Sequence, residues 1–234
     1  MDMQRIIAKH QHTDGLIALF PQHQMSGDIS YDFGPNQGHG TLSNVSSRYS
    51  DHSVTRGHYM NASGYDGKLS SYNDIYTATL VADFDPEAGA IIAYIKTDAA
   101  WAELIDRYVI RLAADANNQI QIWKSSTAGK MYFAYESAGN NKLVAFEDLT
   151  TMDWFSVGMM WDKLVNDEVR MFLNGVDTDG GVDLDDWTGA LTAATTVIGA
   201  SENDGSDCWD GGLGIVAIYN TIKSDAEMLY LSKP

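Results

Sequence analysis

Carboxylates are the side chains of this chain most able to do chemistry. Asp and Glu number 32 against 15 Lys and Arg in 234 residues, which gives a net charge of -17. A retaining glycosidase needs two carboxyl groups about 5 to 5.5 Å apart, and on one strand they would stand two or four residues apart, where side chains share a face. Glu103 and Asp106 have the wrong spacing, and the adjacent Asp167 and Glu168 would point to opposite faces. The carboxylates therefore do not predict a glycosidase.

Loops dense in Asp and Gly favour a second chemistry, the binding of Ca²⁺, which takes six to eight oxygen ligands. Two segments have this composition, residues 177–186 and residues 202–210. The first lacks the glycine and the glutamate that an EF-hand requires at its sixth and twelfth positions, so we interpret it as a solvated loop. The second leads directly into Asp210 and Gly211. For that segment a cation loop and a solvated loop both stay open.

Histidine and cysteine give weaker signals. The six histidines all fall between residues 10 and 58, where only His10 and His12 are close in sequence. A metal site built across the fold and a set of solvated loop histidines are both open; we favour the solvated set and predict no zinc site. Cys208 is the only cysteine, so it cannot form an intrachain disulfide, and we expect a buried, unreactive thiol.

Aromatic residues in predicted loops form the last candidate site. Surface binding of sugars uses aromatic ring faces against the apolar side of a pyranose, with Asp, Asn and Gly nearby for the hydroxyls. A rim rich in Tyr also suits a protein interface, so both interpretations stay open, whereas Trp154, Trp161 and Trp209 are expected in the core. The candidate ligand or interface residues are Tyr49, Tyr59, Tyr65, Tyr72 and Trp187.

The elements that must position these residues are short strands. Segments such as 120–123, 131–135 and 142–146 recur at about 10-residue spacing, which is typical of an all-β sandwich. Residues 90–96 are apolar throughout, which predicts a strand buried on both faces. Residues 76–84 are also predicted as a strand.

The best helix candidate is the segment 99–108. Trp101, Leu104 and Tyr108 recur there at helical spacing, and Asp98 could cap the helix. The following residues, 108–112, have the character of a strand.

The whole chain, residues 1–234, is predicted to be one domain, because no stretch has the composition of a linker. Residues 1–14 are expected to be an N-terminal arm. The N-terminus lacks the apolar run of a signal peptide, and no apolar run approaches the roughly 18 residues needed to cross a bilayer. We therefore expect a product made in the cytoplasm, without membrane insertion. Since a net charge of -17 repels phosphates, we also expect no nucleic-acid partner.

The last third of the chain carries a family resemblance. Four of its segments resemble the closing strands of the laminin-G-like, concanavalin A-like jelly-roll superfamily. Residues 32–42 resemble the early loop of the same family, which is rich in Asp, Asn and Gly. Ser224 and Glu227 form a capping box at the start of a segment that resembles the short terminal helix of that family. The resemblance implies an all-β fold, a two-sheet antiparallel jelly-roll sandwich with a short C-terminal helix. The four segments are residues 154–161, 169–175, 196–199 and 209–219.

The same resemblance implies one cofactor. An Asp before the last strand often helps to hold a structural calcium ion in such domains, together with the early loop. In this chain the corresponding residues are Asp210 and Asp32. Calcium between these two residues is the expected cofactor, and no other is expected.

The resemblance also implies a set of functions. We expect a non-enzymatic structural or adhesion module, namely a phage virion surface protein such as a capsid decoration, head fibre or tail adhesin. It would be located at the virion surface, with other virion proteins or further copies of itself as partners, and with cell-surface glycans as ligands. The alternatives are a calcium-dependent carbohydrate-binding lectin domain, secreted as part of a larger protein, and, less favoured, a glycoside hydrolase of the same fold.

Overall fold

A computed structural model describes residues 3–22, 28–43, 46–50, 61–66, 71–127, 129–146 and 149–233. The helices are α1 (Met3–Gln11), α2 (Ala78–Asp83) and α3 (Asp225–Ser232), and a 3-10 turn spans Ala193–Thr195. The strands are β1 (Leu16–Pro21), β2 (Ile29–Ser30), β3 (Gly40–Ser43), β4 (Ser46–Ser50), β5 (Asn61–Asp66), β6 (Tyr72–Asp74), β7 (Ala88–Thr97), β8 (Arg107–Asp115), β9 (Asn118–Lys124), β10 (Met131–Ser137), β11 (Asn140–Phe146), β12 (Phe155–Asp162), β13 (Glu168–Leu173), β14 (Val176–Val182), β15 (Thr196–Ile198) and β16 (Asp210–Tyr219).

The described strands form two antiparallel sheets. The first sheet has the order β14-β13-β12-β7-β16-β5-β4, and β1 pairs with β16 as well. The second sheet has the order β11-β10-β9-β8-β15-β6-β3-β2. Half of these pairings join strands that are not consecutive in sequence, as in a jelly roll. The predicted two-sheet sandwich with a short C-terminal helix is confirmed.

The main core lies between the sheets and follows from alternation along the strands. Ile120 and Ile122 of β9 and Phe133 of β10 point inward from the second sheet, and Val157 and Trp161 of β12 are buried in the same cluster. Each of these side chains is at most 1% exposed. Trp209 is buried in this core too, as predicted.

A second apolar layer covers the outer face of the first sheet. Ile92 of β7, Phe172 of β13 and Ala217 of β16 lie in it, together with Met228 and Leu231 of α3. Helix α1 packs beside β1 at the same face and contributes Ile7. Because this sheet is covered on both sides, its central strands are apolar throughout, which confirms the prediction for residues 90–96.

Two local signals are confirmed. The Ser224 side chain accepts a hydrogen bond from the Glu227 N–H (3.3 Å), and Glu227 Oε2 accepts one from the Ser224 N–H (2.8 Å), so the capping box starts α3. Asn174 and Gly175 close the β13–β14 hairpin with φ values of 49° and 75°. Cys208 is buried, as expected, and its thiol donates to the Gly205 carbonyl (2.7 Å).

The predicted helix over 99–108 is wrong. Trp101 is buried and its Nε1 donates to the Thr151 carbonyl (2.6 Å), while the buried Lys124 ammonium donates to the carbonyls of Glu103 and Ile105. Those carbonyls are therefore satisfied by a lysine instead of by helical N–H groups. The segment is a loop, and β8 begins at Arg107.

The predicted strand over 76–84 is also wrong. Residues 78–83 form α2, whose first turn is capped by the Thr77 side chain, an acceptor for the Leu80 N–H (3.1 Å). Leu80 is buried in the main core. A single local cap, together with one buried leucine, directs this apolar segment into a helical turn.

The expected N-terminal arm and the expected solvated loop both contain regular structure. Residues 3–11 form α1, where His10 is fully buried instead of lying in a solvated loop. Residues 176–182 form the edge strand β14, paired with β13, so only the end of the segment 177–186 is a loop. Within the described ranges, none of the helices has the length and apolar character of a membrane span.

Candidate functional site on the outer face of the second sheet

Asp32, the first predicted calcium ligand, is buried and builds its own loop. Its Oδ1 accepts hydrogen bonds from the N–H groups of Leu19 (2.8 Å) and Gly34 (2.7 Å), and its Oδ2 accepts one from Gly38 (3.0 Å). Burial raises the pKa of Asp32, although these three N–H groups oppose the rise. Both oxygens are thus directed at backbone donors, which suits a structural carboxylate better than a calcium ligand.

Asp210, the second predicted ligand, lies at the start of β16 and far from the first. The Asp210 carbonyl accepts a hydrogen bond from the Asp98 N–H (2.9 Å). Burial raises the pKa of the Asp98 carboxyl, and the negative charge of Asp210 raises it further. Asp32 accepts a hydrogen bond from the Leu19 N–H, and Leu19 pairs with Ala217 of β16. Along this strand Ala217 is roughly 20 Å from Asp210, at the usual rise per residue.

The predicted calcium ion between Asp32 and Asp210 therefore does not fit this structure. In the part of the chain that the structure describes, no group of three or more His, Cys, Asp or Glu is placed to hold a metal ion. Calcium bound at Asp210 by other ligands stays a prediction.

The predicted tyrosines fall in different places. Tyr59 lies outside the described residues, and Tyr49 and Tyr65 lie on β4 and β5, where only the backbone is described. Tyr72 is half-buried on β6. Its neighbour Asn73 is fully buried, so alternation places Tyr72 on the outer face of the second sheet.

Trp187 packs against the main core and is not a freely exposed ring. It lies 5.9 Å from the Phe84 ring in an edge-on arrangement and 6.2 Å from the Tyr135 ring, and its Nε1 donates to the Gly189 carbonyl (3.1 Å). Its contacts at one end of the sandwich account for its half-buried state.

A row of three aromatic side chains, Tyr108, Trp123 and Tyr132, crosses the outer face of the second sheet. Tyr108 of β8 pairs with Trp123 of β9, which pairs with Tyr132 of β10. The Tyr108 and Trp123 rings stack with centroids 5.7 Å apart and planes 11° apart, and the Trp123 and Tyr132 rings are 5.4 Å apart and tilted by 31°. All three side chains are half-buried. We call these residues the aromatic row.

A polar network crosses the same strands beside the aromatic row. Arg111 of β8 donates from Nε (3.2 Å) and Nη2 (2.9 Å) to Gln119 Oε1 of β9. Gln119 Nε2 in turn donates to Glu136 Oε2 of β10 (2.6 Å). Because the network ties together side chains from three paired strands, it holds their polar atoms in fixed positions.

The loop that follows β15 borders this face. The Arg111 Nη1 donates to the Ser201 carbonyl (3.1 Å) and lies 3.5 Å from Glu202 Oε1. The Tyr108 N–H donates to the Asp207 carbonyl (3.0 Å). Burial raises the pKa of Tyr108 to about 12, with Arg111 opposing that rise, so the Tyr108 hydroxyl is neutral and can donate or accept a hydrogen bond.

Small residues beside the aromatic row shape the surface. Tyr132 pairs with Ala145 of β11, the edge strand of the sheet, and Gln121 pairs with Ala134. Alanine on this side places little bulk against the ring of Tyr132. The geometry is suited to a flat ligand that packs on an aromatic ring and exchanges hydrogen bonds with fixed polar groups.

A groove of about 550 Å³ lies elsewhere, between the end of α1 and the loop built by Asp32. Gln11 Nε2 donates to the Phe33 carbonyl (2.8 Å), and His12, Asp14 and Pro35 also line the groove. Of its lining residues, only Phe33 carries an apolar aromatic ring, against three rings in the aromatic row. The aromatic row with its polar network is therefore the stronger candidate.

The sequence contained a signal for this site that loop-based reasoning missed. In 119–123 and 131–136, apolar residues alternate with Gln, Trp, Tyr and Glu. Such alternation places the second set of side chains together on one face, opposite the core. The aromatic candidates predicted from the sequence were loop residues, whereas the structure places the aromatic row on three paired strands, one residue from an end of each.

Two antiparallel sheets, one covered by helices and one presenting rings and polar groups, define a jelly-roll sandwich. A family model, Laminin_G_3, described as the concanavalin A-like lectin/glucanases superfamily, matches residues 66–228. The chain belongs to this superfamily. Comparison with curated protein sequences gives no significant match.

Solved structures share the fold at low sequence identity. The Ruminococcus gnavus IT-sialidase CBM40 is 14% identical, with a TM-score of 0.58, over 72% of this chain and 96% of that one. It has also been solved bound to alpha2,3 sialyllactose. The Trypanosoma rangeli sialidase in complex with sialic acid is 10% identical, with a TM-score of 0.69, over 98% of this chain.

The fraction of each similar protein that this chain covers differs from one protein to the next. The chain covers 37% of the trypanosomal sialidase and 26% of a leech intramolecular trans-sialidase, which is 14% identical with a TM-score of 0.57 over 71% of this chain. It covers nearly all of the bacterial binding module. At these identities the similarity concerns the fold alone.

Proposed function

We propose that this protein is a non-enzymatic carbohydrate-binding module that uses the aromatic row as its platform. The observation that carries the proposal is the coincidence, on the outer face of the second sheet, of three adjoining rings and a fixed polar network. Pyranose rings present apolar C–H faces to aromatic rings and hydroxyls to polar side chains. The face offers both kinds of contact.

The polar network suggests how hydroxyls would be held. The Gln119 side chain donates a hydrogen bond to one carboxylate oxygen of Glu136, Oε2. The other oxygen, Oε1, accepts no hydrogen bond from the described residues. A carboxylate oxygen of this kind accepts strongly from a sugar hydroxyl. Glu136 lies on the same face of β10 as Tyr132, roughly 13 Å further along at the rise of a strand, so an oligosaccharide of two or more rings could contact both residues.

The arrangement of carboxylates supports binding without cleavage. At the outward positions of β8–β11, the carboxylates are Glu136 and Asp115. Asp115 accepts from the Asn117 N–H (2.7 Å) and from Asn118 Nδ2 (3.0 Å), which lowers its pKa. A carboxyl group with a lowered pKa is a poor general acid, and glycoside hydrolysis needs an acid with a raised pKa.

The similar proteins support carbohydrate in general as the ligand of this fold. The bacterial module was solved with sialyllactose, and the chain covers most of that module, while it covers a minor part of the two sialidases.

Adhesion at a virion surface, with other virion proteins or copies of this chain as partners, is the setting that we propose. Mass spectrometry of purified virions from the source tests that setting, and absence of the chain from the virions would rule it out.

A glycan array tests the binding function. Wild-type protein should bind a subset of glycans, while Trp123→Ala and Tyr132→Ala should each weaken binding at least about tenfold, because each removes a ring from the platform. Tyr230→Ala is the matched control, since Tyr230 is 58% exposed on α3, at the helix-covered sheet.

Circular dichroism must show that every variant is folded. Binding that survives both aromatic-row substitutions would place the ligand elsewhere on the molecule. Absence of binding by wild-type protein to the whole array would reject the carbohydrate function.

A further inference from the structure

The charges beside the aromatic row are unequal in sign. Arg111 is the single basic residue at the outward positions of β8–β11, all of which lie in the described part of the chain. Glu136 lies on the same strands, and Glu202 and Asp207 lie on the bordering loop. With Asp115, the other outward carboxylate of these strands, one positive charge faces four negative charges, in a chain whose net charge is -17.

The Arg111 guanidinium is already engaged within the protein. Its Nε and Nη2 donate to Gln119 Oε1, and its Nη1 donates to the Ser201 carbonyl and lies 3.5 Å from Glu202 Oε1. All three of its nitrogens thus have an acceptor nearby. One Nη2 N–H of the five guanidinium N–H groups is left without an acceptor among the described residues, so a ligand carboxylate could form a bidentate pair with Arg111 only by displacing one of these acceptors.

We infer that this face selects uncharged glycans and rejects glycans that carry a carboxylate, such as sialylated ones. The inference rests on the proposed carbohydrate binding and specifies its ligand class. A sugar carboxylate placed on the aromatic row would meet like charges and would find no free cation among the described residues of this face. Like-charge contacts lower affinity strongly, whereas a neutral sugar loses nothing from them.

Glu202 is the residue that sets this selectivity. Its carboxylate lies closest to Arg111 on the loop side, and its side chain is 48% exposed, against 16% for Arg111. Replacing Glu202 by Gln removes one negative charge and weakens the hold on Nη1 of the guanidinium. The exposed position means that this change should leave the fold intact.

Matched glycan pairs test the inference. Sialylated oligosaccharides, including sialyllactose, are compared with their desialylated parents for wild type, Glu202→Gln and Glu168→Gln. The last variant is the control, because it makes the same charge change on β13 of the first sheet. Wild-type protein should bind the neutral parents at least about tenfold more tightly than the sialylated partners.

Glu202→Gln should lower the ratio of the affinity for neutral parents to the affinity for sialylated partners several-fold, because it improves binding to the sialylated partners. Glu168→Gln should leave this ratio unchanged. Tighter binding to the sialylated partners by wild-type protein would overturn the inference and leave carbohydrate binding in place. An unchanged ratio in Glu202→Gln would overturn the role of this residue. Failure of every pair to bind would reject the proposed function, and this inference with it.

Discussion

The outer faces of the two sheets differ in how deeply their side chains are buried. On the first sheet, Ile92 and Phe172 are covered by α1 and α3 and are fully buried. On the second sheet, Trp123 and Tyr132 stay half-buried beside polar side chains. Both sheets alternate their side chains across the core in the same way, so the difference arises on the outside.

The difference separates a face that stabilises the fold from the face on which we propose binding. Burial of the apolar outer face of the first sheet contributes to folding through the hydrophobic effect. The second sheet leaves rings and hydrogen-bonding groups in contact with water and supports them from behind with the main core. A rigid sheet then positions the candidate site more firmly than a loop would.

The largest expected effect that tests this contrast is on the covered face. Ile92→Ala should lower the free energy of unfolding by about 3 kcal/mol, because it leaves a cavity under the helices. Leu143→Ala is the control on the second sheet; Leu143 is 49% exposed, so its loss should cost less than about 1 kcal/mol. Urea unfolding measures both values. Equal losses would contradict the assignment of stability to the covered face.

A smaller effect is expected on acidification, through the helix that covers this face. Burial, followed by the charge of Lys9, lowers the pKa of His10 from 6.5 to about 3; His10 Nδ1 shares a hydrogen bond with the Tyr219 hydroxyl (2.5 Å). Because the unfolded chain binds this proton more readily, stability present above pH 6.5 is lost as the pH falls towards 3. Between pH 7 and pH 5, about 2 kcal/mol should be lost through this residue.

Unfolding of His10→Gln across this pH range isolates that contribution. The variant should lose less stability on acidification than wild type does. His12→Gln is the matched control, since His12 is exposed one residue after α1. An identical pH dependence in His10→Gln and wild type would show that His10 does not control the acid sensitivity.

The smallest expected effect concerns the cap of the other covering helix. Ser224→Ala removes the hydrogen bond to the Glu227 N–H and should lower the unfolding free energy by about 1 kcal/mol. Ser224→Thr keeps a hydroxyl at the cap and should restore most of this loss. Thermal unfolding followed by circular dichroism resolves the difference. If alanine and threonine behave alike, the cap does not stabilise α3.

Much of the fold was predictable because its signals are local. The recurrence of short segments such as 120–123 and 131–135 at about 10-residue spacing predicted strands, and the residues Ser224 and Glu227 predicted the start of α3. The segments 76–84 and 99–108 were predicted wrongly because helical and strand patterns overlap in short apolar stretches. There, the cap of Thr77 and the contacts of Lys124 decided the outcome.

The site was harder to predict than the fold. Tyr72 was selected as a loop residue, and the structure places it on the outer face of the second sheet. The residues of the aromatic row were recognised only as parts of strands. Pairing between β8, β9 and β10 brings Tyr108, Trp123 and Tyr132 together, and such register depends on contacts between distant segments.

The sequence by itself determined the class of fold, the double burial of the central strand and the capped terminal helix, because period, composition and capping act within a few residues. Only the tertiary structure decided which sheet face the helices cover, that Asp32 holds a loop far from Asp210, and that Arg111 meets Glu202. These outcomes depend on strand order and register, which join residues far apart in the chain. The pairing of the strands therefore turns three scattered aromatic residues into one surface.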